Sequence, residues 1–267
     1  MSQSERVFRR GPFPVKFRIL EVRRVTQITP HMARVTLGGA DLEGFHSDAP
    51  DDHVKVAIPA EGEVEVPVPT LGPGGLTFPE GKPRPVLRDY TPRRHDPAAG
   101  ELDIDFVIHG DGPATRWAAS AKPGHRLGVG GPRGSLIVAA DFDWYLLVGD
   151  ESALPAIGRR LEELPAGARA QVFVEVADAA EEQRFETKAE VQLTYLHRNG
   201  AEAGATDLLE AAVRGASFPG GDGFAWVAGE SGTVRRIRDY LREERGLSKD
   251  WMRTSGYWKR GVAGHHD

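Results

Sequence analysis

The chain has 267 residues, 40% of them hydrophobic, and a formal charge of -5 at pH 7. That length predicts two domains, and the charge gives no global attraction to nucleic acid. With no cysteine, disulfides, thiolate zinc sites, a catalytic thiol and a cysteine-held iron–sulfur cluster are excluded within this chain.

In chain order, the opening segment MSQSERVFRRGPFPVKFRIL carries no signal-peptide core, and no later stretch approaches the roughly 20 apolar residues of a membrane helix. The expectation is a soluble cytoplasmic protein. Residues 16–39 hold short β-branched runs punctuated by Pro30 and by Gly38-Gly39. HVKVAI (53–58) reads as a strand, and the Pro- and Gly-rich segment 67–85 as an excursion loop. ELDIDFVIH (101–109) alternates: Leu102, Ile104, Phe106 and Ile108 share one face, Asp103, Asp105, Val107 and His109 the other. Several short strands at this spacing predict an antiparallel β-barrel over residues 1–140.

The second half changes character. WYLLVGD (144–150), AQVFVEVAD (170–178), VQLTYLH (191–197) and GFAWVAGE (223–230) read as buried strands. Helical spacing follows in SALPAIGRRLEEL (152–164), in TDLLEAAVRGA (206–216) with Thr206 as N-cap, and in SGTVRRIRDYLREERG (231–246). This alternation predicts a parallel α/β domain over residues 141–267, ending in a polar tail, GVAGHHD. His265 and His266 there could take up adventitious metal; no protein metal site is predicted. A barrel followed by a parallel sheet suits a protein holding one cofactor on the barrel and a second at the carboxyl edge of the sheet.

The stretch 88–119, RDYTPRRHDPAAGELDIDFVIHGDGPATRWAA, carries the chemistry. A flavin dinucleotide needs an aromatic or apolar neighbour for its ring, donors at the ring's polar edge, and positive charge with backbone N–H groups at its pyrophosphate. Arg88 can fork onto phosphate, Tyr90 can lie against a ring, and Thr91 can hydrogen-bond its edge. Gly110 and Gly112 let the backbone approach closely. Pro113 can start a helix, leaving the amides of Ala114, Thr115 and Arg116 aimed at an anion.

That order of features resembles the ferredoxin-reductase superfamily of flavoproteins. It resembles more closely the siderophore-interacting protein family, the ferric-siderophore reductases. DDHVKVAIP (51–59), RDYTPR (88–93), DFVIHGDGPATRWA (105–118), GPRGS (131–135), GDESALPAIGRRLE (149–162), WVAGESG (226–232) and SGYWKRG (255–261) are similar to that family's landmarks, in the family's order. The resemblance implies FAD held by Arg88, Tyr90 and Thr91, by Asp105, Val107, Ile108 and His109, and by Gly112, Ala114, Thr115 and Trp117. It also implies that Lys55, Arg133 and Arg253, joined by Lys259 and Arg260, form a basic face for an anionic ferric siderophore.

The turn GDESALPA departs from the glycine-rich turn of relatives that use NAD(P)H. Asp150 and Glu151 stand where small residues admit a pyrophosphate, and carboxylates repel phosphate. Arg235 and Arg236 are weak alternatives for phosphate contact. The donor is left open among NADPH, NADH and a reduced ferredoxin. The expected reaction is outer-sphere reduction of Fe(III) in the chelate, with no catalytic acid, base or nucleophile assigned, by a monomer with no nucleic-acid or membrane partner. Two alternatives stand beside it: a general NAD(P)H-dependent flavin or electron-carrier reductase, and a non-enzymatic binder of ferric chelates.

Overall fold

The computed structural model describes residues 6–72 and 75–262, with Leu71 by its backbone alone; the His265-His266 pair lies outside them. The chain divides into two compact units, one of residues Arg9–Leu136, the other of Met1–Phe8 with Ile137–Asp267.

The strands of the first half are β1 (Val7–Arg10), β2 (Phe17–Thr29), β3 (Met32–Gly38), β4 (Val54–Ile58), β5 (Thr70–Gly72), β6 (Gly75–Thr77), β7 (Val86–Tyr90), β8 (Arg94–Asp96) and β9 (Glu101–Val107). Helix α1 (Pro113–Ser120), β10 (Arg126–Gly130) and β11 (Ser135–Val138) follow. β1 pairs with β11, and seven strands form one antiparallel sheet in the order β7-β4-β10-β2-β3-β9-β8. The segment read as a loop over 67–85 contains the small β5–β6 hairpin. Its three-residue strands are too short to leave a periodic signal.

The sheet curls into a half-barrel. β7 and β9 stand five places apart in the order, about 24 Å across a flat sheet at roughly 4.8 Å per strand. Yet the rings of Tyr90 on β7 and Phe106 on β9 have centroids 4.4 Å apart. The enclosed core is aliphatic, built on Leu20, Val22, Val35, Leu37, Val54, Val56, Leu102, Ile104 and Val129. Each such side chain contributes about 1.5–3 kcal/mol by leaving water. The polar face of β9 is buried as well, with Asp103 2% and Asp105 3% exposed. Asp103 accepts from Thr36 Oγ1 at 2.6 Å and Arg94 Nε at 2.7 Å, and Asp105 is gripped by Arg34 at 2.7 and 2.9 Å.

The other unit is built on β12 (Trp144–Asp150), α2 (Leu154–Glu163), β13 (Arg169–Val176), β14 (Glu190–His197), α3 (Leu208–Gly215), β15 (Gly223–Glu230), α4 (Ser231–Glu243) and β16 (Met252–Trp258). Its five strands are all parallel, in the order β14-β13-β12-β15-β16. β12 is buried along its whole length, and β13 and β15 nearly so. This explains their continuous apolar runs. β16 was not legible as a strand, because an edge strand whose seven residues are all half-exposed carries no apolar run. Thr206 does not cap α3: its hydroxyl donates to Glu175 at 2.6 Å, and Asp207 takes the N-cap position.

Candidate functional site

In the half-barrel unit the strand alternation sets the site. Arg88 and Tyr90 lie opposite Val56 and Val54 in the β4–β7 ladder, on the face those core residues share. Tyr90 leans on Phe106, and Phe106 on Trp117 of α1 at 5.6 Å, so three aromatic rings run from the sheet edge to the helix. Burial pushes the Tyr90 hydroxyl above its ordinary range against the pull of Arg88, so it stays protonated. Arg88 donates to its own strand at Leu87 O, 2.8 Å, and has no carboxylate partner among the described residues. Thr91 is buried just beyond the strand.

β9 ends at Val107, and Ile108 donates to His31 O at 2.7 Å while its side chain packs on the core. The turn then runs through exposed His109 to Gly110, whose φ of 58° lies in the left-handed region that favours glycine. The Thr115 hydroxyl donates to His109 O at 2.9 Å and ties turn to helix. α1 starts at Pro113 behind Gly112, with no side-chain cap and no acidic residue in its first turn. The amides of Ala114 and Thr115 therefore have no helical acceptor. A Cβ on Gly112 would meet nothing within 4 Å, so open space lies over the helix start. A cleft of about 350 Å³ flanks α1, lined in part by Trp117, Ser120, His125 and Arg126. An unneutralised arginine, free amides and an aromatic face are the donor set a flavin dinucleotide requires. Asp105 is the exception among the expected residues: its carboxylate is closed off by Arg34, with Arg93 at 3.9 Å, and its side chain is 1% exposed.

The basic residues have differing surroundings. Lys55 faces Asp89 across the β4–β7 ladder and pairs with it at 2.6 Å, on the opposite face from Arg88 and Tyr90. Arg133 is exposed and makes no ion pair among the described residues. In the other unit, Arg253 lies opposite Trp226 in the β15–β16 ladder. Lys259 and Arg260 follow that strand, both exposed, with Arg260 paired to Glu202 at 2.7 Å.

The carboxyl edge of the parallel sheet is a different kind of site. Strand order reverses between β12 and β15, the usual place for a nucleotide. Here Asp150 fills it. One carboxylate oxygen accepts from Ser152 N at 2.9 Å and from the Ser152 hydroxyl; the other accepts from Glu230 N at 3.1 Å and Trp258 Nε1 at 2.8 Å. Burial raises its pKa to about 6 despite the hydrogen bond from Ser152, and Glu151 pushes the same way. Glu151 is itself locked to Arg198, which also lies 3.6 Å from Glu175. Glu230 caps α4 by accepting from Thr233 N at 2.9 Å. The 3-10 turn leading into α2 and the start of α4 thus each carry their own anion, and the β12–α2 turn does not fit a pyrophosphate. Trp258 is bound into this packing by its indole N–H. Arg236 pairs with Glu210 at 2.6 Å. Among the described residues no group of three His, Cys, Asp or Glu side chains is arranged to hold a metal ion.

Sequence reasoning missed two buried groups, Arg18 and Asp52, 3% and 2% exposed. The signal for Arg18 was present: it shares the i, i+2 register of Leu20 and Val22.

Comparison with known proteins follows the two units. Residues 21–136 match the siderophore-interacting FAD-binding domain, and residues 142–261 match the siderophore-interacting protein family. The chain is 37% identical to the NADPH-dependent ferric-chelate reductase of Escherichia coli over 263 residues, 97% of this chain and 99% of that one. It is 36% identical to the ferric vibriobactin reductase ViuB of Vibrio cholerae over 247 residues, 91% of this chain and 90% of that one. The crystal structure of a siderophore utilization protein from T. fusca superposes with a TM-score of 0.90 at 45% identity, covering 97% of this chain and 98% of that one.

Proposed function

The chain belongs to the siderophore-interacting protein family, and from that membership we infer that it is an FAD-dependent oxidoreductase that reduces ferric siderophores and releases iron as Fe(II). The observation that carries the reading is the uncapped start of α1 near β7, whose Arg88 has no carboxylate partner among the described residues, together with the Tyr90–Phe106–Trp117 ring series. Arg88 and the amides of Ala114 and Thr115 hold the pyrophosphate. Tyr90 and Thr91 border the ring, Val107, Ile108 and His109 run alongside, and Gly112 keeps the approach open. Asp105 acts one step back, by fixing Arg34 and the end of β9. When bound, FAD accepts two electrons together and releases them singly to an acceptor. Electrons enter from NADPH, NADH or a reduced ferredoxin; likeness to the NADPH-dependent reductase of E. coli supports NADPH.

Arg133, with Lys55, Arg253, Lys259 and Arg260, supplies the positive charge that draws an anionic chelate. The iron is substrate, already ligated by its chelator, so no protein ligand is needed. No side chain has to move a proton for an outer-sphere electron transfer, and the protein's work is positioning and electrostatics. No helix among the described residues is long and apolar enough to cross a membrane. The proposal extends to a cytoplasmic monomer.

The test is anaerobic mixing of the purified protein with NADPH, NADH or reduced ferredoxin while the visible flavin band is followed. One donor should bleach it, and a ferric chelate should restore it. A protein that stays colourless after expression with ample riboflavin overturns the reading.

A further inference from the structure

Arg18 sits on the buried face of β2, in line with Leu20 and Val22, and is 3% exposed. It forms no ion pair among the described residues. Asp41 acts on it through charge, but the Asp41 carboxylate is hydrogen-bonded by Ile19 N at 3.2 Å. Burial accordingly lowers the pKa of the guanidinium. Its donors go to carbonyls of three separate segments, Lys16 O, Gly131 O and Gly44 O, each at 3.2 Å. Nε has no hydrogen-bond partner among the described residues, and the guanidinium lies 5.2 Å from the ring centroid of Phe45. A buried cation without a carboxylate is costly, and a leucine would continue the apolar register at lower cost.

What this cation holds is the loop 131–134. Gly131 also donates to Lys16 O at 3.3 Å, and Arg133 O accepts from Phe13 N at 2.8 Å. A Cβ on Gly134 would lie 2.7 Å from Arg10 O, so the loop is pressed against the neighbouring chain. On its far side Ser135 Oγ donates to the buried carboxylate of Asp52 at 2.7 Å and accepts from Asp48 N at 3.2 Å. Buried polar groups thus pin the loop on both flanks of one side chain that reaches solvent, Arg133.

We propose that Arg18 is a positioning residue for Arg133, holding the 131–134 loop so that the exposed guanidinium is presented in place to an anionic ferric chelate. This deepens the substrate reading given above and rests on it. A charge on a fixed backbone loses less freedom when it engages its partner, and a small displacement of that backbone weakens the contact.

The test is a double-mutant cycle on FAD-loaded protein, with the iron(III) tris-catecholate complex of 2,3-dihydroxybenzoate as substrate. Arg18→Lys should raise KM about threefold, less than loss of Arg133 itself, while kcat and flavin content stay unchanged. In an Arg133→Ala background the same change should have no further effect on KM, because the side chain it positions is gone. Ser135→Ala, which frees the other flank of the loop, should behave in the same way and serves if Arg18 variants fold poorly. If Arg18→Lys and Ser135→Ala raise KM equally with and without Arg133, or leave it unchanged, the positioning role is overturned. If Arg133→Ala itself leaves KM unchanged, the substrate reading of Arg133 falls first and takes this inference with it.

Discussion

At the end of β9 the chain turns through residues 109–112 into α1; at the end of β12 it turns through Glu151–Ala153 into α2. Each turn leads from a buried strand into a helix with proline in its first turn. The first leaves its amides open, carries only the exposed Asp111 facing Arg116, and packs near β7, whose Arg88 has no carboxylate partner among the described residues. The second is closed by Asp150, which accepts from Ser152, Glu230 and Trp258, and by Glu151 on Arg198. Two strand–helix turns of one chain therefore treat an incoming anion in opposite ways. The deciding variable is where the turn's carboxylate points: Asp111 in the first turn is exposed and faces Arg116 at 3.5 Å, whereas Asp150 in the second is buried on backbone N–H groups.

The strongest way to break this contrast is to give the first turn a capping carboxylate. Gly112 has φ -71° and ψ 156°, which any residue adopts, and there is room for a side chain. Gly112→Asp should cap α1 and stabilise the apoprotein by about 0.3 kcal/mol. It should also lower FAD affinity about a hundredfold through like-charge repulsion. Thermal unfolding of the apoprotein and flavin titration read the two effects separately, and retained FAD affinity would remove the uncapped helix start from the site. Arg88→Ala should weaken FAD by about thirtyfold, the scale of a hydrogen bond to a charged group, as read by the same titration.

The second turn is sharpened by pH. Asp150 has a folded pKa near 6, raised from 3.8 by burial. The folded state then binds the proton more tightly than the unfolded one, so this group's contribution to stability is full below pH 4 and is lost as pH rises through 6. Asp150→Asn loses acceptors at every pH, yet its deficit relative to the parent should shrink by about 1–2 kcal/mol between pH 4 and pH 7. Denaturant unfolding at the two pH values checks this; a constant deficit would mean that Asp150 is ionised throughout.

The smallest effects concern the basic residues. Replacing Lys55, Arg133 and Arg253 together with alanine should weaken binding of an anionic ferric chelate while FAD stays bound. Taken singly, Arg133→Ala should cost about fivefold and Lys55→Ala less, because Asp89 at 2.6 Å already compensates Lys55. Equal losses would show that ion pairing within the protein does not rank these cations.

Much of the architecture was legible because the two halves carry different periods. The alternation in ELDIDFVIH and the apolar runs of β12, β13 and β15 reflect burial of one or both faces, which constrains residue type along the strand itself. β16 escaped because an edge strand satisfies its burial only in part and tolerates a mixed sequence such as MRTSGYW. The residues of β7 and α1 proposed to hold the cofactor stand out in the sequence as a spaced motif, since backbone approach demands glycine and phosphate demands arginine.

The sequence by itself determined the order of a β unit and a parallel α/β unit, the Arg-x-Tyr-Thr strand with its Gly-Pro helix start, and the acidic character of the second turn. Only the tertiary structure decided that Tyr90 meets Phe106 across a curled sheet, that Asp105 is closed off by Arg34, that Asp150 binds Trp258, and that Arg18 grips the loop of Arg133. The physical reason is range. Helix starts, turns and strand faces follow from neighbouring residues, whereas a buried charge is defined by partners many residues away, and nothing local says whether an arginine will face water or three carbonyls.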